Sequence, residues 1–518
     1  MSQDTLTLAA ARRVFWWVFA ATLALKLLLA GVFPFTGDEA FFYQWGVRPA
    51  WHYSDHPPLV GWLLALLHAV SDAPLVLRSV TLLVTSAIAL LVVDLLRRLL
   101  PEDREAQAWL AGAVYLAMPW SWMFVLVTTD TLLILFMALS FWAYVRADGA
   151  DTADAGGRAT AWYLLCGALL GAAFFSKYFA ALLGFAYAAH AWGWRRERWW
   201  APFLVFATAL PAIAANLYLN ATHGWSHVMF NVFNRNEASA WSLTTWLTYV
   251  AMALYLVTPW WLWRAARSRA PEGVSRTART TLAVLWLFPF AVFALLAMRR
   301  TIGLHWVLGF VPVFVVWAGL RTDVRPLRRL LTYTTLLSLP HLVAVLLIAL
   351  APLSWFAHTK WADRAVFLRE NAAVVAGLRQ GLPAGATLMA QAYNPAAMLA
   401  FRAGVYIPVF GPGRHHARQD DQIVDFRTYD RRPIRVFHYD EPDLARYAPY
   451  FERVRKQSYE VDGVRFWYVD GEGFRYQPYR DEVLAAVARD FHDIPRWLPV
   501  LGNPFCERYG FAACSPGR

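Results

Sequence analysis

Two short segments hold the residue types best suited to chemistry. Gly37-Asp-Glu-Ala-Phe-Phe-Tyr-Gln-Trp and Trp51-His-Tyr-Ser-Asp-His-Pro-Pro-Leu follow the first long apolar stretch directly. They put Asp38, Glu39, Asp55 and His56 in a loop just beyond a block long enough to cross a bilayer. Carboxylates set among Trp, Tyr and Phe beside a membrane are costly to keep ionised. A side chain of this type can take a proton or hold a cation, and the setting points to a lipid-borne substrate.

Each candidate also has a purely structural reading. Thr36-Gly37-Asp38-Glu39 fits a capping box, with Thr at the cap and Glu three residues on. Asp38 then falls in the first helical turn, where the positive end of the dipole favours the charged form. Its functional reading is a carboxylate aimed at an outer cavity, as base or cation ligand. Phe41, Phe42, Tyr43 and Trp45 suit an interfacial anchor and also a stacking platform for a sugar. Tyr43 and Tyr53 are the candidate acceptor or sugar contacts. Asp55 and His56 precede Pro57-Pro58 and can cap the next helix; with Asp38 they read as the second half of one site.

Lys177 lies between two apolar segments. A lysine at that depth faces protein or a water-filled cavity, unless it snorkels to the headgroups. Arg299, Arg300 and His305 are further cationic candidates for a lipid phosphate. Asp130 begins a helix, and a helix-start role suits it. There is no Gly-Lys-Ser/Thr phosphate loop, and no His-Glu-x-x-His or paired Cys-x-x-Cys.

The elements that must position these residues are apolar. Of 518 residues, 58% are hydrophobic and 16% charged, against roughly 45–50% and about 25% in soluble domains. The excess lies in blocks of roughly twenty residues, each able to cross a core of about 30 Å. There are 48 Lys and Arg against 36 Asp and Glu, a formal charge of +12. Nucleic-acid binding is excluded by where the charge lies. Arginines sit in short loops between apolar blocks, at Arg12-Arg13, Arg97-Arg98, Arg195 to Arg198, Arg264 to Arg279 and Arg321 to Arg329, which is the positive-inside pattern.

That pattern places residues 1–13 inside. The spans predicted are about 14–34, 74–96, 107–127, 131–146, 161–175, 179–194, 199–219, 243–263, 281–298, 303–320 and 328–352, eleven in all, with a short interfacial helix after Pro57-Pro58. The block at 14–34 is too long for a signal-peptide core and is expected to stay in the membrane. Residues 1–353 form a transmembrane domain and 354–518 a small soluble α/β domain outside the cytoplasm. In that tail, 362–378 has helical spacing and 386–390 and 434–438 read as buried strands. Residues 456–461 and 464–469 bracket Asp462-Gly463 as a hairpin. Of three cysteines, Cys166 is a core residue, and Cys506 and Cys514 can pair in an oxidising compartment.

At these residues the chain resembles the multi-spanning glycosyltransferases of the GT-C fold, specifically the family 39-like transferases. That group includes the protein O-mannosyltransferases and the aminoarabinose transferases of lipid A. The resemblance rests on the Asp38-Glu39 pair with its aromatic helix and on Tyr53-x-Asp55-His56-Pro57-Pro58-Leu59 with Trp62. It also rests on Gly171 to Lys177 ending in Ser-Lys-Tyr, on His305-Trp with Pro312, and on Ala392-Tyr393 to Ala400-Phe401. Aminoarabinose transferases carry Glu-Lys where this chain has Asp55-His56, and Arg where it has Phe41. The departure weakens a lipid A aminoarabinose assignment and leaves the broader class.

The resemblance implies an all-α polytopic bundle with a small extracytoplasmic α/β domain. It implies a multi-pass protein of the bacterial inner membrane, with a cytoplasmic N-terminus and a periplasmic C-terminal domain. The activity implied is inverting transfer of a sugar from a polyprenyl-phosphate donor, such as undecaprenyl phosphate, to an extracytoplasmic acceptor. Lipid A, lipopolysaccharide core, another envelope glycan and protein all stay open. Asp38 would be the base. Asp55, with Glu39, would orient the acceptor or, with Asp38, hold a divalent cation. Lys177, His56, Arg299 and His305 would bind the donor phosphate. The rival class is a secondary transporter or flippase of lipid-linked sugar, which ordinarily shows charges near mid-membrane and two related halves; neither is evident here.

Overall fold

The structure, a computed structural model, describes residues 6–149, 155–234, 240–413 and 419–514. The chain divides into two compact units. One comprises Met1–Gly31, Ala73–Ala215 and Ala238–Val345; the other comprises Val32–Asp72, Asn216–Glu237 and Leu346–Arg518.

The first unit is helical. Among the described residues, six helices are long and apolar enough to cross a membrane: Leu8–Val32, Pro74–Leu99, Thr129–Asp148, Ala201–Thr222, Arg276–Ala297 and Val324–Leu350. A bent pair, Glu102–Leu116 with Pro119–Val125, turns by 62° at its break and makes a seventh if it counts as one span. Pro119 explains the break, because it supplies no N–H and its ring clashes with the preceding turn. The block expected at 243–263 is likewise split, into Leu243–Val257 and Pro259–Arg267, with Thr258 at φ 58° between them. Ala155–Phe174, Ala180–Trp194 and the Leu304–Gly319 segment complete the set. Every block read as a span is thus helical, while length and apolarity alone qualify six or seven.

Packing in this unit is aromatic and tight. Trp261, Trp286, Phe314 and Trp317 meet edge-on or tilted, with ring centroids 5.1–5.9 Å apart, a geometry that adds to the gain from burial. Some of the polar side chains inside are bonded to one another. His190 takes Tyr144 Oη at 3.0 Å on one ring nitrogen and Thr281 Oγ1 at 3.0 Å on the other. Arg195 donates to Asp148 at 2.9 Å.

The second unit holds a four-stranded sheet in the order β1-β2-β4-β3, with β1 Thr387–Ala390, β2 Ile434–His438, β3 Arg453–Val461 and β4 Val464–Glu472. β1 and β2 are parallel and the other pairs antiparallel. The β3–β4 hairpin turns on Asp462 and Gly463, at φ 48° and 75°. Both are left-handed, which suits an Asp-Gly pair. β2 is buried at every position, Arg435 included. The guanidinium forks onto the opposing Asp470 at 2.7 and 2.9 Å and lies over the Tyr468 ring, so its charge is matched. The helix expected over 362–378 is two, Ala362–Arg369 and Asn371–Arg379. Cys506 and Cys514 form a disulfide.

Three chain segments far apart in sequence build this second unit. Helix Gly37–Val47 crosses Leu59–His68 so closely that a Cβ on Gly46 would lie 2.8 Å from the Leu64 backbone. On its other side lies helix Tyr393–Ala403. Phe401 stacks on Phe35 at 4.4 Å and meets Tyr43 edge-on at 4.9 Å. A Cβ on Gly37 would fall 2.0 Å from Asn394 Nδ2. The tail helix is therefore seated against the acidic-aromatic helix at a point where a glycine permits contact.

Candidate functional site

Asp38 and Glu39 adjoin in sequence and do different work. Thr36 caps helix Gly37–Val47. Its hydroxyl accepts from the Glu39 N–H, and Glu39 Oε2 returns to the Thr36 N–H at 3.1 Å and hydroxyl at 3.0 Å. This is a complete capping box, and Glu39 is wholly buried in it. Asp38, one residue earlier in the same turn, takes no part in that box and stays open to solvent. The Tyr393 hydroxyl donates to its Oδ1 at 3.4 Å. Surrounding protein lifts the Asp38 carboxyl above the usual range; the hydrogen bond from Tyr393 pulls it back, and the charge of Glu39 adds to the rise. A raised carboxyl, reachable yet lined by protein, is a better proton acceptor than an ordinary surface aspartate.

The loop carrying Asp55 is fixed by its backbone. His227 Nε2–H donates to the Tyr53 carbonyl at 2.6 Å. The Ser54 N–H donates to Gln419 Oε1 at 2.9 Å, and Asn231 Nδ2 donates to the Asp55 carbonyl at 3.1 Å. Three consecutive residues are thus held by side chains from two distant segments. Pro58 is the N-cap of Leu59–His68 and no side chain caps that helix. Helix capping therefore does not account for Asp55 or His56. His56 is partly buried, its ring 6.4 Å from Phe42.

Tyr53 anchors the loop. It is fully buried and stacks on Trp45 at 4.3 Å. Its hydroxyl donates to the Trp45 carbonyl at 2.9 Å and accepts from the Ala50 N–H at 2.9 Å. A Cβ on Gly61 would meet that hydroxyl at 2.6 Å. With no face left for a ligand, Tyr53 carries no contact in the mechanism below. Tyr43 is also buried, its hydroxyl 3.4 Å from His68 Nδ1.

Three imidazoles, one on this loop and two from a distant segment, stack together. His52 stacks between His223 and His227, with centroids 4.5 and 4.2 Å away. His52 Nε2 pairs with Ser226 Oγ at 2.8 Å. Burial depresses all three, His227 to about 3, so the stack is neutral at physiological pH. Their separation of some 170 residues hides them from any motif.

The remaining cationic candidates, Lys177, Arg299 and His305, lie in the helical unit. Lys177 Nζ reaches both carboxylate oxygens of Asp130 at 3.0 Å, with side chains only 8% and 11% exposed. It also lies over the Phe179 ring. Asp130 does stand in the first turn of its helix, but Thr128 is the cap; pairing with Lys177 is the role the sequence concealed. Arg299 is exposed, its guanidinium 5.3 Å from the Trp241 ring centroid. His305 is partly buried and packs edge-on against Trp306. Among the described residues no group of three or more His, Cys, Asp or Glu gathers as a metal site, and no step below uses a cation.

Residues 55–219 match the family model described as dolichyl-phosphate-mannose-protein mannosyltransferase. That match, over about a third of the chain, agrees with the resemblance to the GT-C glycosyltransferases, and the chain is a multi-pass membrane protein. The particular likeness is to ArnT from Cupriavidus metallidurans in the apo state, with TM-score 0.59 and 14% identity over 88% of this chain and 97% of that one. The same protein bound to undecaprenyl phosphate gives 0.58 and 13%, with the same coverage. At that identity the likeness establishes the fold. No curated protein sequence matches this chain.

Proposed function

We propose that this chain is a membrane glycosyltransferase. It transfers a sugar from a polyprenyl-phosphate donor to an acceptor outside the cytoplasm, with inversion at the anomeric carbon. The observation that carries the reading is the Asp38 carboxyl, raised by its surroundings, open to solvent and met by Tyr393, on a helix whose cap is supplied by its neighbour. The solved relative with undecaprenyl phosphate bound supports the donor class.

In this mechanism Asp38 takes the proton of the acceptor nucleophile as that atom bonds to the anomeric carbon. The bond from that carbon to the donor phosphate oxygen breaks, and its electron pair leaves with the polyprenyl phosphate. Asp55, on a loop pinned at three successive residues, orients the acceptor; Glu39 fixes the turn that presents Asp38. Lys177, with Arg299, His305 and His56, is assigned to the donor phosphate, where charge-assisted donors stabilise the departing group. One such donor is worth roughly 3–4 kcal/mol when removed singly. The proposed topology has eleven spans, a cytoplasmic N-terminus and the 354–518 domain in the periplasm of a bacterial inner membrane.

The test is reconstitution. Purified chain in proteoliposomes is given a polyprenyl-phosphate sugar and an extract of envelope acceptors, and acceptor mass is followed. A mass increment of one sugar residue with release of polyprenyl phosphate is expected. Movement of intact donor across the bilayer with no covalent transfer would sink the proposal.

A further inference from the structure

A groove in the helical unit, built from residues unused above, has the charge and shape of a lipid site. It is about 670 Å³ in volume and runs along helix Arg276–Ala297 from its first residue. Arg276, Arg279 and Arg321 line one end, and Val284, Leu287 and Ala291 line the rest. The helical spacing makes this one face: Arg276, Thr280, Val284, Leu287 and Ala291 recur at three or four residues. Trp194, the last residue of Ala180–Trp194, also lines the groove and is 59% exposed.

The arginines lack acidic partners. Among the described residues none of the three is ion-paired, and Asp323, two residues beyond Arg321, is held by Arg104 at 3.1 Å. Arg321 donates to the Ser268 carbonyl at 3.1 Å. Arg279 Nε is buried and has no hydrogen-bond partner among the described residues. Among the described residues no carboxylate lines the groove. Three guanidiniums gathered at one helix end oppose one another in the absence of an anion, and guanidinium matches phosphate in two-pronged fashion. A small diffusible anion would leave the apolar stretch uncovered. A phospholipid covers both parts.

We infer that this groove binds an anionic phospholipid of the surrounding bilayer, with its phosphate on Arg279 and Arg321 and an acyl chain along Val284, Leu287 and Ala291. Basic clusters at the ends of membrane helices attract acidic headgroups, each charge contributing about 1 kcal/mol near an anionic surface. The site is independent of sugar transfer and stands or falls separately.

Native mass spectrometry of the delipidated full chain in non-ionic detergent tests it, with phosphatidylglycerol and phosphatidylcholine as probes. One phosphatidylglycerol should bind at least about tenfold more tightly than phosphatidylcholine. Arg279→Ala with Arg321→Ala should lower phosphatidylglycerol to the phosphatidylcholine level. Ala291→Trp, at an exposed position with all arginines kept, should weaken both lipids. Equal affinity for the two lipids in the unaltered chain would overturn the inference, as would unchanged phosphatidylglycerol binding in the arginine variant. Displacement by millimolar inorganic phosphate, with Ala291→Trp inert, would mark a simple anion site and overturn the lipid assignment.

Discussion

Removing Asp130 should damage the fold more than removing Asp130 and Lys177 together. The ammonium is 3.0 Å from both carboxylate oxygens, and both side chains are about nine-tenths buried. Taking away one member leaves the other charge buried without its partner, which costs about 3–5 kcal/mol. Independent losses would sum to roughly 6–10 kcal/mol for the double variant. The pair instead predicts a double variant no worse than the milder single one, a coupling of roughly 3 kcal/mol or more. Denaturant unfolding of the full chain in detergent, for Asp130→Ala, Lys177→Ala and both, gives the four corners of the cycle. Additivity within about 0.5 kcal/mol would refute the pairing. The function adds a second readout. Lys177→Ala should weaken donor binding at least about tenfold, and adding Asp130→Ala should not restore it, because the cation itself is gone.

Other expectations follow from the second unit. Tyr393→Phe removes a hydrogen bond that lowers the Asp38 pKa, so the acidic limb of the pH–kcat/KM profile should move to higher pH; an unmoved limb would separate Tyr393 from the base. Gly37→Ala forces a Cβ to within 2.0 Å of Asn394 and should cost about 1–3 kcal/mol, recovered in Gly37→Ala with Asn394→Ala, as read from melting curves. His52, His223 and His227 have folded-state values depressed below the ordinary imidazole. The unfolded chain therefore takes up protons first, so stability is full above about pH 6.5 and falls on acidification, by up to about 1.4 kcal/mol per pH unit for each histidine. His227→Gln should flatten the dependence of unfolding free energy on pH between 7 and 5; an unchanged slope would contradict a buried neutral stack.

What the sequence disclosed follows the range of the forces involved. Apolar blocks of bilayer length are local, and each of the eleven read from 14–34 to 328–352 contains helix. The capping box at Thr36 and Glu39 and the Asp462-Gly463 turn are equally local, and both are present. Breaks within blocks were harder to place. Pro119 and Pro259 sit inside continuous apolar runs, and hydropathy alone does not register the missing N–H. Tertiary pairings left no trace in spacing. Lys177 and Asp130 are 47 residues apart, and Ser54 and Gln419 are 365 apart. Tyr393 belongs to a segment that the resemblance marks, while its bond to Asp38 exists only in the folded unit. Each of the three histidines, taken singly, reads as an ordinary core residue.

The most direct measurement is single-turnover transfer by Asp38→Asn, with donor binding followed on the same sample. The asparagine keeps the shape and the capped turn but does not accept the proton. Transfer should fall by about 10²–10⁴, while the affinity for the polyprenyl-phosphate donor stays within about twofold of the unaltered chain. Turnover at the original rate would contradict Asp38 as base and, with it, the central assignment.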